Sequence, residues 1–341
     1  MKPRQFHHSW RYYRNLLIVW MPTLTVLTFS LYSPPGLITL IWLLPMVWGL
    51  YILWAVYLQI HPLRFLTIPG LKPQDFSLPC EQVFFNSRDG LRLRGWLVLL
   101  PDEMNEAQPR LPAPLIILAH GRGGSCSQML LHAKALAQAG YSSLLLDLRA
   151  HGKSQGDTST FGMLEADDIL GAVDYLLTRP EVDRERLGAL GVSLGAQAVL
   201  TAALVEPSIR AVVLDGLGAL TQADLIAKKT NLLTRLAAFL NAPVYRLADY
   251  MSGIHPQEGN RKALGRLGRP ILLISAGKGG EQALNRSFYK AAREPRRLWE
   301  IPRAHHAAGI TDAHTQYRQR VNSFFNEFLH PGESAGGQGT P

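Results

Sequence analysis

A chain of 341 residues gives room for one large domain plus an appendage. Its two cysteines, Cys80 and Cys126, are too few for a disulfide framework and lack metal-ligand spacing, so both read as reduced thiols. The net charge of +9 suggests nucleic acid until it is located: residues 1–74 hold six Lys/Arg and no Asp or Glu, which leaves 29 basic against 26 acidic residues in 75–341. The globular part is near neutral and gives no footprint for DNA or RNA, while the basic N-terminal segment points to a membrane surface.

Residues 1–62 read as a membrane anchor. An apolar run over about 15–33 is interrupted by Pro22, and a second run, 37–58, has no charge and is long enough to cross a hydrocarbon core as a helix. Ser33-Pro-Pro-Gly36 forms the turn between them, and no small-residue cleavage site follows the first run, which argues against a signal peptide. Trp10, Trp20, Trp42, Trp48 and Trp54 fall in this segment, several near the ends of the runs where interfacial aromatics collect. Lys2, Arg4, Arg11 and Arg14 precede the hairpin and Arg64 and Lys72 follow it, so the positive-inside rule puts both flanks in the cytoplasm. The expectation is a transmembrane helical hairpin in a bacterial-type inner membrane, a linker at 63–75, and the large domain on the cytoplasmic side.

From residue 76 the pattern becomes that of an α/β domain. Phe76–Phe85 and Leu91–Leu100 read as a hairpin across Asn86-Ser-Arg-Asp-Gly90. Leu115–Ala119 is a buried strand that runs into His120-Gly-Arg-Gly-Gly-Ser125, with a helix from about Ser127 to Ala139. Ser142–Asp147 is the next strand, followed by Leu-Arg149-Ala-His151-Gly152-Lys-Ser154. Phe161–Thr178 reads as a helix whose Glu165, Asp167 and Asp168 suit its positive N-terminal end.

Leu187–Val192 is a short apolar run and Leu194 onward is helix-like, so Gly191-Val-Ser193-Leu-Gly195 sits on a strand-to-helix turn. A serine on so sharp a turn has strained backbone angles, and its flanking glycines keep the crossing chain clear. Ile209–Asp215 is another strand. Gly216–Arg269 is long for a connection and holds helix-like runs at Gln222–Ala227 and Leu232–Leu240. Strands Pro270–Ser275 and Arg296–Ile301 follow, the first leading to Ala276-Gly-Lys-Gly-Gly280-Glu281 and the second to Pro302-Arg-Ala-His305-His306-Ala-Ala-Gly309. Asp312–Phe328 closes the domain as an amphipathic helix, and 331–341 is a Gly/Ser-rich tail expected to be disordered.

On the G-x-S-x-G turn, the His-Gly loop after the third strand, the Asp-x-Arg-x-His-Gly-x-Ser loop and the histidine loop, the chain resembles the α/β-hydrolase superfamily over residues 76–330. The resemblance implies a mostly parallel eight-stranded sheet flanked by helices, with a small helical cap at about 217–268. It also implies Ser193 as nucleophile and the backbone N–H groups of Arg122 and Leu194 as oxyanion donors, with Asp147 and Arg149 as loop-fixing residues. The family's order of serine, acid, histidine sets aside His151, which precedes Ser193, and the likeness of Pro302–Gly309 to the family's Gly-x-Gly-His loop puts the base at His306, with His305 where glycine is usual. Where many relatives have Asp at the end of the seventh strand this chain has Gly280, so the triad acid is Glu281 next to it, with Asp215 on the preceding strand as the alternative. The expected chemistry is ester cleavage through an acyl-enzyme with no metal or organic cofactor, on a small-molecule or lipid-like ester at the bilayer. A peptidase or amidase of the same fold, or a non-catalytic interaction protein, are the rival readings; no obligate protein partner is inferred.

Overall fold

The computed structural model describes residues 37–62, 71–100, 113–225, 247, 250–251, 253, 258–277 and 281–330. The chain divides into two units, Met1–Ile60 with Thr230–Gly253, and His61–Lys229 with Ile254–Pro341. In the first, the second apolar run forms helix α1 (Leu37–Ile60). Its side chains are described for Leu43, 46–58 and Ile60: Ile52, Val56 and Ile60 are buried at helical spacing, whereas Val47, Trp48, Tyr51, Leu53 and Trp54 are exposed. The first run of the expected hairpin, 15–33, lies outside the described residues, and among those described no helix is long and apolar enough to cross a membrane. The hairpin therefore finds no support in the fold.

The second unit is built on one eight-stranded sheet of order β1-β2-β4-β3-β5-β6-β7-β8. β1 (Glu81–Asn86) and β2 (Arg92–Val98) form the antiparallel hairpin, and β2 runs antiparallel to β4. The remainder, β3 (Leu115–Ala119), β4 (Ser142–Leu146), β5 (Leu187–Val192), β6 (Ile209–Asp215), β7 (Ile271–Ala276) and β8 (Arg296–Ile301), are parallel. Strands with both faces covered must be apolar throughout instead of alternating, and β3, β4, β5 and β7 are buried along their whole length. The edge strands β1 and β8 instead alternate in burial.

Two helical layers cover the sheet. α2 (Leu130–Ala137) lies on the face carrying Ile116, Leu118, Leu145 and Leu190, together with the C-terminal helix described below. On the opposite face, α3 (Glu165–Leu176) and α4 (Leu194–Ala203) pack against Leu115, Ile117, Leu144 and Ala189. The short α5 (Gln222–Leu225) precedes α6 (Asn260–Leu267) and α7 (Glu281–Ala291), which extend that second layer through Leu264 and Phe288. The one-turn α8 (Gly309–Asp312) leads into α9 (His314–Leu329), whose Tyr317, Val321, Phe324 and Phe325 complete the first layer. Each such fully buried side chain contributes about 1.5–3 kcal/mol of transfer free energy.

Several boundaries differ from the sequence expectation. The first strand begins at Glu81, because Pro73–Phe76 wind into a 3₁₀ turn closed by Ser77 at φ 55°. The helix expected from Phe161 begins at Glu165, and the final helix at His314. The cap region expected at 217–268 falls largely outside the described residues; α5 and α6 are its described parts. The tail at 331–341 lies outside them too.

The register sets the site. Val192 pairs with Asp215, Asp215 with Ile274, and Ala276 with Ile301, so the C-terminal ends of β5 to β8 form one rim. In an open parallel sheet this rim is where a ligand crevice forms.

Candidate active site

Ser193 joins β5 to α4 at φ 53° and ψ −108°, a conformation L-residues adopt only under constraint. The constraint is visible. Its N–H donates to the Asp215 carbonyl at 2.8 Å, which ties the elbow to the end of β6. A Cβ on Gly191 would lie 2.2 Å from the Gly195 carbonyl oxygen, and one on Gly195 2.3 Å from that of Ala119. Both contacts are with backbone and cannot relax, which is the physical content of the Gly-x-Ser-x-Gly spacing.

His306 reaches this serine from the loop after β8. Its Nε2 lies 2.9 Å from Ser193 Oγ, and its Nδ1 lies 2.6 Å from Glu281 Oε2. A carboxylate only accepts, so Nδ1 carries the proton and donates to Glu281, leaving Nε2 to accept from the serine hydroxyl. Glu281 opens α7, where the helix N-terminus favours negative charge, and its Oε1 accepts the Ala276 N–H at 2.8 Å. The hydrogen bond to Glu281 raises the His306 pKa above its ordinary 6.5, against the opposing effect of burial. Gly216, at φ +71°, lies against the imidazole: a Cβ there would meet His306 Cε1 at 2.9 Å.

Asp215, the alternative acid, does not bond the imidazole. It is buried at the end of β6, and its Oδ2 accepts the Tyr317 hydroxyl at 3.0 Å from α9. Burial, with the nearby Glu281 charge, pushes its pKa up to about 7, although Tyr317 and His306 act the other way. His305 faces Asp312 instead: its backbone N–H donates to Oδ2 at 3.1 Å, and its Nδ1 lies 3.6 Å from the same oxygen. His151 is buried, with Nδ1 2.8 Å from the Arg149 carbonyl and its ring 5.1 Å from that of His120.

The His120–Ser125 loop runs beside the nucleophile. A Cβ on Gly121 would sit 3.5 Å from Ser193 Cβ. His120 Nε2 accepts the Leu148 N–H at 3.1 Å, so Nδ1 is the protonated nitrogen and donates to the Gly121 carbonyl at 2.7 Å. Gly124 N–H donates to the same oxygen at 3.0 Å. In a trans peptide the C=O and the following N–H point to opposite sides, so these two bonds aim the Arg122 N–H away from His120. Leu194 is the first residue of α4, where helix N–H groups lack an intrahelical partner. Asp147 holds the base of this loop, accepting from Cys126 N–H at 2.7 Å and Lys153 N–H at 2.9 Å, while Arg149 pairs with Asp89 and Asp168.

Sequence reasoning missed four contributors. Tyr317 offered no local signal, since its partner is 102 positions away in the chain. Glu165 and Asp168 read as dipole partners of α3 but are fully buried anchors of neighbouring loops. Phe161 is not helical: it sits at φ 58°, with the Arg122 guanidinium 4.5 Å above its ring. Of the other non-glycine residues at positive φ, Ala150, Ser193 and Ala307 all follow the C-terminal ends of parallel strands.

With this geometry in view, the similarities to known proteins fall into place. The chain is 29% identical over 259 residues to the uncharacterized protein YfhR of Escherichia coli O157:H7, covering 74% of this chain and 82% of that one. It is 34% identical over 137 residues to the thiohydrolase apmlB of Arthrinium phaeospermum, covering 39% and 41%. Among solved structures, the Pyrococcus furiosus esterase Pf2001 superposes with a TM-score of 0.58 at 21% identity, covering 77% of this chain and 97% of the esterase. A family model described as the alpha/beta hydrolase fold matches residues 114–311, more than half of the sequence, and the chain belongs to that family.

Proposed function

We propose that this protein is a serine hydrolase that cleaves carboxylic-ester-type substrates through an acyl-enzyme, held at a membrane by its N-terminal segment. The observation that carries the reading is the hydrogen-bonded row Glu281–His306–Ser193, with distances of 2.6 and 2.9 Å. In this mechanism Nε2 of His306 takes the Ser193 proton as Oγ attacks the ester carbonyl. The N–H groups of Arg122 and Leu194 hold the oxyanion, and each such donor is worth about 10²–10³ in kcat. The imidazolium, steadied by Glu281, then protonates the departing alcohol. Water, deprotonated by the same imidazole, attacks the acyl-enzyme and releases the carboxylic acid.

The charge-free run 37–58 and the exposed Trp48, Tyr51 and Trp54 of α1 support contact with a lipid bilayer. The Lys/Arg distribution supports a bacterial-type inner membrane with the catalytic domain on the cytoplasmic side, and so a lipid or other amphiphilic ester as substrate. Labelling from the periplasm of a cysteine placed just before residue 76 would overturn that orientation.

The catalytic reading is tested with a neutral fluorophosphonate probe. Labelling of the folded chain that vanishes in Ser193→Ala is the expected result, and absence of labelling in the folded wild type refutes the mechanism in favour of a non-catalytic interaction protein. Turnover of paired ester and amide analogues of one acyl group then separates an esterase from a peptidase.

A further inference from the structure

Ser193 and His306 stand 113 positions apart in the chain, yet their side chains meet at 2.9 Å. The segment that touches both is Asp215-Gly216, at the end of β6. The Asp215 carbonyl accepts the Ser193 N–H at 2.8 Å. Gly216, whose N–H donates to the Ile274 carbonyl at 2.9 Å, abuts the imidazole: a Cβ there would lie 2.9 Å from His306 Cε1. A displacement of these two residues therefore moves the nucleophile relative to its base.

One side chain grips this segment from α9. Tyr317, fully buried, donates its hydroxyl to Asp215 Oδ2 at 3.0 Å. Among the described residues it is the one group that bonds that carboxyl. The same ring supports the far end of the His306 loop, since a Cβ on Gly309 would lie 2.9 Å from Tyr317 Cε2. The backbone repeats the connection: the Gly309 carbonyl accepts the Ala313 N–H at 3.0 Å, and the Ala313 carbonyl accepts the Tyr317 N–H at 2.8 Å. Trp299 of β8 and His132 of α2 flank the ring, with centroids 5.9 and 5.4 Å away, and so fix where its hydroxyl lies. Stability alone does not call for this bond, because two apolar groups of the same shape would fold about as well. What a satisfied buried polar pair supplies is a fixed length and direction, here between α9 and the end of β6.

We propose that Tyr317 is a positioning residue for catalysis: its hydroxyl, acting through Asp215, and its ring, acting through Gly309, hold the Ser193 elbow and the His306 loop at reacting separation. The proposal rests on the serine-hydrolase reading and deepens it, adding to the row Glu281–His306–Ser193 the strut that sets its geometry.

The test uses the neutral fluorophosphonate, whose reaction needs the Ser193–His306 couple whatever the natural substrate. Two quantities are read in each folded variant: the maximal labelling rate, and the probe concentration that gives half of it. Tyr317→Phe keeps the ring on Gly309 and removes only the bond to Asp215. It is expected to lower the maximal rate by about 10- to 100-fold, as a misplacement of about 1 Å does, with the half-saturating concentration within about twofold. Asp215→Ala should lower the rate to a similar level and the double variant no further, since both break one connection. Asp215→Asn, which keeps an acceptor for the hydroxyl, should lose less than Asp215→Ala; this pair carries the test where Tyr317→Phe does not fold. Tyr141→Phe is the control: it too removes a buried tyrosine hydroxyl bonded to α9, at Asn326, but beside the N-terminal end of β4 and so away from the rim. It should label within about threefold of wild type. A loss of less than about tenfold in Tyr317→Phe, an equal loss in Tyr141→Phe, equal losses in the two Asp215 variants, or losses that multiply in the double variant overturn the proposal and leave the hydrolase reading intact. Failure of the folded wild type to label overturns both, and is distinguished by that alone.

Discussion

Substituting Glu281 by glutamine separates the two acids that flank the imidazole, and the structure fixes the direction and size of the effect. Glu281 uses one oxygen for the Ala276 N–H at 2.8 Å and the other for His306 Nδ1 at 2.6 Å. A glutamine must keep its carbonyl oxygen on the Ala276 N–H, since the flipped amide sets donor against donor at a cost of about 1–3 kcal/mol. Its NH₂ therefore faces Nδ1 and donates to it. The ring proton moves to Nε2, where it faces Ser193 Oγ, and the base loses the lone pair it needs. A forced wrong tautomer of this kind costs about 10³- to 10⁴-fold in kcat, or about 4–5.5 kcal/mol of barrier. The assay is the pH dependence of ester kcat/KM and of fluorophosphonate labelling. Since the base acts when neutral and Glu281 holds the His306 pKa up, the wild-type acid limb is expected above pH 6.5, and the residual activity of Glu281→Gln sets in at lower pH. Asp215→Asn, which keeps an acceptor for Tyr317, is expected to change kcat by less than about tenfold. Activity of Glu281→Gln within about tenfold of wild type, with the large loss in Asp215→Asn, refutes the assignment of the acid.

Asp215 carries a different prediction, about stability. Its carboxyl pKa is raised by burial from 3.8 to about 7, so between those values the folded chain holds a proton that the unfolded chain has released. Stability falls as pH rises through that window, and Asp215→Asn removes the slope. The Tm difference between Asp215→Asn and wild type should grow in the variant's favour from pH 4 to pH 7, and a constant difference contradicts the shift. Gly216→Ala would place a methyl 2.9 Å from His306 Cε1 on a residue at φ +71°; we expect a loss of at least about tenfold in kcat and a lowered Tm. Ser193→Gly relieves the φ 53° backbone and should raise thermal stability by about 1 kcal/mol while abolishing probe labelling, which differential scanning calorimetry can read.

Much of the sheet is legible in the sequence because strands covered on both faces cannot alternate. Leu115–Ala119 and Leu187–Val192 have the boundaries the apolar runs predict. Ser193 and His306 are legible because each occupies a loop whose neighbours have a steric task. Glu281 is legible only as the nearest carboxyl to an interrupted pattern; what qualifies it is its place at the first turn of α7, with one oxygen for Ala276 and one for the imidazole. The departures arise where a side chain reaches outside its own element. Glu165 folds back onto Ser159–Gly162 and so shortens the helix that periodicity starts at Phe161. No local window contains the Tyr317–Asp215 bond, which joins residues 102 positions apart.

The unfavourable backbone states at Ala150, Phe161, Ser193 and Ala307 gather around a single working edge, propped there by the sheet below and by buried carboxylates such as Glu165. Such residues are loaded springs, and warming slackens the props before it dismantles the scaffold. Heat should therefore silence this protein while its circular dichroism still looks native, leaving an intact body with a relaxed, unreactive mouth.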